Sequence, residues 1–342
     1  MNISVPRSLV ILTLLASLGG CGETVLAPIG PVGAAERTIL LDAVAIMLAI
    51  VVPTIVATLA FAWWFRAGNS RARYLPTWQY SGQLELLVWS VPALVVLFLG
   101  GIAWISSHEL DPAQPLTSAM TAAPDPAATA SAETSATTPA SMSAGTSTNA
   151  LDKAPAKTLA KTLEIEVVSL DWKWLFIYPD QQVASINRMV VPTGVPLHLR
   201  VTSATVMNVF FVPRLGSEIY SMGGMATQLN LQADQPGTYP GLSANFSGDG
   251  FSDMSFALEA VDSGQFATWV ATTKNDGGVL DDAAYRGLLR QSENVQPYTY
   301  RGVDAGLFNR IVSMQLPPGE GPQIGHPSPS VKPVGPASTG EH

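Results

Sequence analysis

A chain of 342 residues with 13% charged side chains and a mean hydropathy of +0.25 falls well short of the roughly 25% charge of an ordinary soluble protein. Part of its length therefore belongs in lipid. A net charge of −8, with no basic run, argues against nucleic acid as a partner. The single cysteine, Cys21, leaves no internal disulfide, CxxC pair or thiolate metal cluster. The four histidines, His108, His198, His326 and His342, show no ligand spacing.

Residues 1–21, MNISVPRSLVILTLLASLGGC, join one positive charge (Arg7) to an apolar stretch and then to small residues before the cysteine. This is the pattern of a secretory signal, too short to span a bilayer. Leu18-Gly19-Gly20-Cys21 resembles the bacterial lipobox, which makes Cys21 the expected site of lipid attachment. Two longer apolar runs come next, residues 39–65 and 84–105, each with the roughly 20 residues that a spanning helix needs. Pro53 and Pro92 lie inside them, a position that membrane helices tolerate. The loop between holds Arg66, Arg71 and Arg73 and no acid, so it should face the cytoplasm and leave both outer flanks on the far side. Glu85, at the start of the second run, is a carboxylate at membrane depth and a functional candidate on that ground.

Residues 112–161 are almost all Ala, Thr, Ser and Pro and are expected to be a disordered insert. A coil of about 50 residues reaches on the order of 40 Å, so it cannot fix the angle of the next domain. A partner surface is expected to do so. From residue 162 to 262 the pattern changes to period two, in LEIEVVSLDWKWLFIYP, NRMVVPTGVPLHLRVTS, TVMNVFFVP and MSFALEAV. That predicts strands of a small sandwich or Greek-key barrel. Residues 263–316 are expected to be a helical segment and 317–342 a disordered tail. Within the β-region, LSANFSGDGFSDM (242–254) is a polar loop with no thiol and no imidazole, and only Asp249 and Asp253 as carboxylates.

A signal, a two-helix hairpin and an all-β domain together resemble subunit II of the haem–copper respiratory oxidases. FAWWFRAGNSRARY, LELLVWSVPAL, VVSLDWKWLFIYP, TVMNVFFVPRLGSEIYSMGGMATQL and PGTYPGLSANFSGDGFSDMSF carry the resemblance. It implies a two-helix transmembrane hairpin joined to a cupredoxin-like Greek-key domain with short C-terminal helices. In the cytochrome c oxidase branch that domain holds a dinuclear copper centre. Its ligands are a histidine five residues before a proline and a Cys-x-Glu-x-Cys-x3-His-x2-Met run, because soft thiolates bridge the copper pair. Laid onto this sequence, those positions are Asn208, then Ser243, Asn245, Ser247, Phe251 and Met254. Only the methionine is of ligand type, and the loop keeps the spacing of a copper loop without its donors.

The resemblance therefore points to the quinol-oxidase branch, of the cytochrome bo type. It implies ubiquinol oxidation and dioxygen reduction with proton pumping, and no cofactor bound by this chain, the haems and copper lying in subunit I. The implied partners are subunit I, smaller membrane subunits, ubiquinol reached through subunit I, and membrane lipid. The implied location is the bacterial inner membrane with the β-domain periplasmic. In that branch the glutamate of a Glu-x3-Trp-Ser/Thr-x-Pro segment is thought to stand at the mouth of a proton-uptake channel, and Glu85, Trp89, Ser90 and Pro92 match its spacing. Trp172, Trp174 and Tyr178 are candidates either for seating the β-domain on a partner or for its own core. Met222, Met225 and Met254 are read as core packing. The alternative from another class is a membrane-anchored degenerate-cupredoxin lipoprotein that works outside any oxidase.

Overall fold

The computed structural model describes residues 25–72, 77, 79–114, 116 and 161–321. The expected signal with Cys21, Arg73, most of the 112–161 insert and residues 322–342 lie outside the described residues.

Two long helices come first. Helix α1 runs Pro31–Trp64, with proline in the first turn, where a missing N–H costs nothing. It begins eight residues before the apolar run at Ile39, because Ala34-Ala35-Glu36-Arg37 suits a helix and the added turns rest on the β-domain. Helix α2 runs Gly82–Glu109. Both are apolar along most of their length and largely exposed, so lipid or a partner must cover them. The hydroxyls of Thr38, Thr54 and Thr58 each donate to the carbonyl four residues earlier, which satisfies them without water.

The rest is a two-sheet sandwich. The larger sheet contains β1 (Leu163–Leu170), β2 (Lys173–Tyr178), β3 (Val183–Ile186), β5 (Pro196–Ser203), β8 (Thr227–Gln232), β11 (Gly278–Leu280) and β12 (Tyr298–Val303), in the order β11-β12-β3-β2-β1-β5-β8. The smaller sheet contains β4 (Arg188–Pro192), β6 (Asn208–Phe211), β7 (Glu218–Ser221), β9 (Gly237–Ser243) and β10 (Ser255–Val261), in the order β4-β10-β9-β6-β7. The pairs β1/β5 and β4/β10 are parallel, which requires the chain to cross between sheets rather than meander.

Period two explains the layering. Trp174, Phe176 and Tyr178 of β2 point inward between the sheets, where Trp174 meets Phe210 edge-on at 5.6 Å and Phe256 at 5.7 Å. Leu175 and Ile177 of the same strand point the other way. That second face is buried too, under α4 (Asp282–Leu288) and α5 (Leu307–Val312). A further helix, α3 (Ser263–Lys274), opens with a capping box between Asp262 and Gln265 and lays Phe266 and Trp269 against Tyr178.

Three expectations need correction. Residues 263–316 are not a helical segment alone, since β11 and β12 extend the main sheet and β12 pairs with β3. Tyr298-Thr299-Tyr300 alternates as a strand should, but its partner lies more than a hundred residues earlier. Met225 is 45% exposed and is not core, whereas Met254 is buried. The β-domain is also seated by the chain itself. Ile29 donates its N–H to Arg214 O at 2.9 Å and accepts from Asp234 N at 2.8 Å, while the Arg214 guanidinium donates to Ala27 O. From the other helix, Pro112 O accepts both the backbone and the side-chain N–H of Asn230. Pro112 thus belongs to a docked segment and not to a loose insert.

Candidate functional site

The loop at 242–254 is formed by the end of β9, a short 3-10 turn (Asp249–Asp253) and the start of β10. Ser243 and Met254 are tied by a backbone bond from Ser243 N to Met254 O. Asn208, first residue of β6, lies two residues from Phe210, the register partner of Ser243, and its side chain reaches that serine. The Ser243 hydroxyl donates to Asn208 Oδ1 at 3.1 Å. The Asn208 amide then donates to Ser169 Oγ at 3.4 Å and to Val206 O at 3.2 Å. Ser169 and Ser221 hydroxyls lie 2.7 Å apart, and Ser221 donates to Thr202 O. Since Ser221 spends its hydrogen on that carbonyl, Ser169 is the donor between the two. The hydrogens run in one direction, from Asn208 through two serines to the backbone, and each of these buried groups finds a partner.

The structure thus brings Asn208, Ser243, Ser247 and Met254 together as buried residues. Ser247 Oγ touches Met254 Sδ at 3.9 Å, and its carbonyl accepts the Trp172 indole N–H at 3.1 Å. Asn245 turns aside, its amide donating to Met207 O. Phe251 also lies apart from the network, and its ring meets that of the exposed Phe246 at 5.6 Å. The donor set at these six positions is two hydroxyls, two amides, one phenyl ring and one thioether, with hydroxyls and amides already hydrogen-bonded. Such a set does not fit a thiolate-bridged copper pair. Among the described residues, no three His, Cys, Asp or Glu side chains converge as a metal site.

Trp172 and Gly250 lock the loop from below. Trp172 lies in the two-residue turn between β1 and β2 with φ +65° and is 1% exposed. Gly250 crosses its indole so closely that any Cβ there would overlap the ring. Trp172, Trp174 and Tyr178 are all buried inside the domain, so they fill its core and none presents a seating surface.

Sequence reasoning missed a buried charged pair beside this turn. Lys173, 2% exposed, donates to Arg290 O at 2.7 Å and to Ser292 Oγ at 2.6 Å, reaching across to the C-terminal segment. Burial pushes its ammonium down to about 8, partly opposed by the nearby Asp171 carboxylate. Burial also raises Asp171, against the pull of a hydrogen bond from Thr205 and the charge of Lys173. The signal was slight: in the alternation of DWKWLFIY, Lys173 shares its face with Leu175 and Ile177, which hints that this face is covered as well.

Glu85 stands in the first turn of α2 and is exposed on the described surface. Cys21 lies outside the described residues.

Family models and curated relatives agree with one another on what this chain is similar to. A family model described as cytochrome c oxidase subunit II, periplasmic domain, matches residues 175–261, and one described as the COX aromatic rich motif matches residues 274–319. The chain is 42% identical over 296 residues to ubiquinol oxidase subunit 2 of Acetobacter aceti, covering 86% of this chain and 84% of that one. It is 40% identical to cytochrome bo(3) ubiquinol oxidase subunit 2 of Pseudomonas aeruginosa, covering 86% and 77%. Among solved structures, the periplasmic domain of subunit II of cytochrome oxidase (CoxB) of Bradyrhizobium japonicum matches at 27% identity and a TM-score of 0.32, over 33% of this chain and 94% of that one.

Proposed function

The chain belongs to the family of ubiquinol oxidase subunit 2, part of an oxidoreductase complex of the haem–copper type, and we propose that it acts there as a brace without a redox centre of its own. The hydrogen-bonded chain Ser243–Asn208–Ser169–Ser221 carries this reading. A polar network that satisfies itself has no free soft donor to offer a metal, and opening it would strand buried hydroxyls at about 1–3 kcal/mol each.

Electrons from ubiquinol then pass directly to haem in subunit I, and the β-domain covers the outer face of that subunit. The exposed apolar faces of α1 and α2 are the surfaces that pack on it. Glu85 takes up protons at the cytoplasmic end of α2, a role supported by its depth near the arginine loop and by the Trp89-Ser90-x-Pro92 spacing after it. Cys21 carries a lipid that anchors the mature N-terminus at the inner membrane, supported by the Leu-Gly-Gly-Cys sequence. Residue 25, four positions later, already lies at the outer end of the hairpin, next to the docked segment at Ala27.

The purified complex tests the reading. It should consume oxygen with ubiquinol as donor, fail to oxidise reduced cytochrome c, and show no mixed-valence copper-pair signal by electron paramagnetic resonance. Detection of that signal would remove the proposal, and absence of any haem-bearing partner on purification would place the chain outside an oxidase.

A further inference from the structure

Between the outer ends of α1 and α2 and the underside of the β-domain lies a cavity of about 730 Å³, within the size range of small-molecule sites. Its walls are Val32, Ala35 and Ile39 of α1 and Leu110 at the end of α2, and Ser217 and Asn230 of the β-domain form its roof. We infer that this cavity binds one glycerophospholipid whose headgroup carries a primary amine, as phosphatidylethanolamine does.

Depth is the first argument. Trp63, Trp64 and Arg66 mark one membrane surface of α1, with the Arg66 guanidinium resting 5.1 Å from the Trp63 ring. About twenty residues of helix cross the hydrocarbon layer, and counting back from Trp64 reaches Val44. Ile39 and Thr38 then fall at headgroup depth, with Ala35 and Val32 just above. The same count along α2 from Glu85 reaches Ile105, after the exposed Trp104, and puts Glu109 to Asp111 at the same level. Leu40 follows the lining residue Ile39 directly, and with Val44 and Ile105 it is an exposed apolar side chain on the membrane side of the cavity. An amphiphile with acyl chains along these helices reaches it without leaving the bilayer.

Charge is the second argument. Among the described residues, the ionisable groups that line the cavity are His108, Glu109 and Asp111, with no lysine or arginine. Asp111 Oδ1 accepts the N–H of Ala113 at 3.0 Å, and His108 Nδ1 lies 2.8 Å from Trp104 O, so Asp111 Oδ2 and the Glu109 carboxylate are the anionic groups left to meet a cation. An ammonium headgroup fits those two carboxylates, whereas a headgroup with only a phosphate and hydroxyls meets like charge. The inference needs only that α1 and α2 span a membrane, and stands apart from the redox reading.

The test uses the complex extracted from membranes with its annular lipid in polymer-bounded discs, then stripped stepwise with detergent. Retained phosphatidylethanolamine and phosphatidylglycerol are counted by mass spectrometry for the native chain, for Glu109→Gln with Asp111→Asn, and for Ala35→Phe, which fills the cavity. Asparagine at 111 keeps the acceptor for Ala113, so the double variant leaves the local fold intact. In the native complex the ratio of phosphatidylethanolamine to phosphatidylglycerol should stand about tenfold above the ratio in the bulk lipid, a preference of about 1.4 kcal/mol, and both variants should fall to the bulk ratio. Equal retention in all three forms, enrichment of phosphatidylglycerol instead, or a segment of a partner subunit filling the cavity would overturn it.

Discussion

Glu36 of α1 accepts two hydrogen bonds from one residue of the β-domain, Ser217, through its backbone N–H and its hydroxyl, both at 2.8 Å. The contact joins a membrane helix to the loop before β7, where Gly33 and Gly216 pass so closely that a side chain on Gly216 would strike the helix backbone. A carboxylate held by two donors is worth more than a neutral bond, about 1.5–3 kcal/mol. Glu36→Ala should therefore speed amide exchange at residues 214–218 by about tenfold or more without changing exchange in β1 and β2. Exchange that is uniform across the domain in both proteins would show that the strut does not hold the loop.

The network under the loop gives a second expectation. Asn208→Ala removes the acceptor of Ser243 and the donor to Ser169 and should destabilise the β-domain by about 1–3 kcal/mol. Removing the Ser243 hydroxyl as well should restore part of the loss, because an apolar pair leaves fewer buried groups unmatched than a broken one. Thermal unfolding followed by tryptophan fluorescence measures both, and quinol-dependent turnover at lower temperature should stay the same. Additive losses in the double variant would mean that the two side chains do not act together.

Lys173 sets a pH dependence. Its ammonium is held near 8 in the folded chain, below the ordinary lysine value of 10.5, so between these limits the unfolded chain keeps a proton that the folded chain has lost. Stability then rises with pH across that window, by a few kcal/mol at most, and below about pH 8 the full penalty for a buried charge remains. Lys173→Met should flatten the rise between about pH 8 and about pH 10. It should also loosen residues 290–292, whose carbonyl and hydroxyl lose their donor. A native protein with the same denaturant midpoint throughout the window would rule out the depressed value.

Much of this architecture was legible because the signals are local. Period-two alternation in β1, β2 and β10 and the long, mainly apolar stretches of α1 and α2 each announce an element without reference to distant residues. The resemblance to the copper-ligand motif grouped Asn208, Ser243, Asn245, Ser247, Phe251 and Met254, of which Asn245 and Phe251 turn aside in the fold. The features that escaped it depend on long-range pairing. Strands β11 and β12 are short, and β12 finds its partner in β3. The seating of the β-domain rests on Ile29, Pro112 and Glu36, whose roles come from backbone atoms and one carboxylate that no local pattern distinguishes. Lys173 reads as an ordinary strand lysine until its neighbours are counted.

Glu85 tests the link from the hairpin to function. It occupies the first turn of α2, one turn from Trp89 and close in sequence to Arg66 and Arg71, where a carboxylate can exchange protons with water and pass them inward. Glutamine keeps the shape and removes the exchangeable acid, so Glu85→Gln should lower quinol-dependent oxygen uptake and proton ejection together. A fall of about tenfold corresponds to about 1.4 kcal/mol on the barrier. Haem content and assembly should be unchanged, since the side chain is exposed and glutamine matches it in size. A slowed rate that recovers with Glu85→Asp would tie the effect to the acid and not to packing. Full activity in Glu85→Gln would remove this residue from the proton path, and the carboxylate would then be an ordinary helix-end group favoured by the dipole at the start of α2.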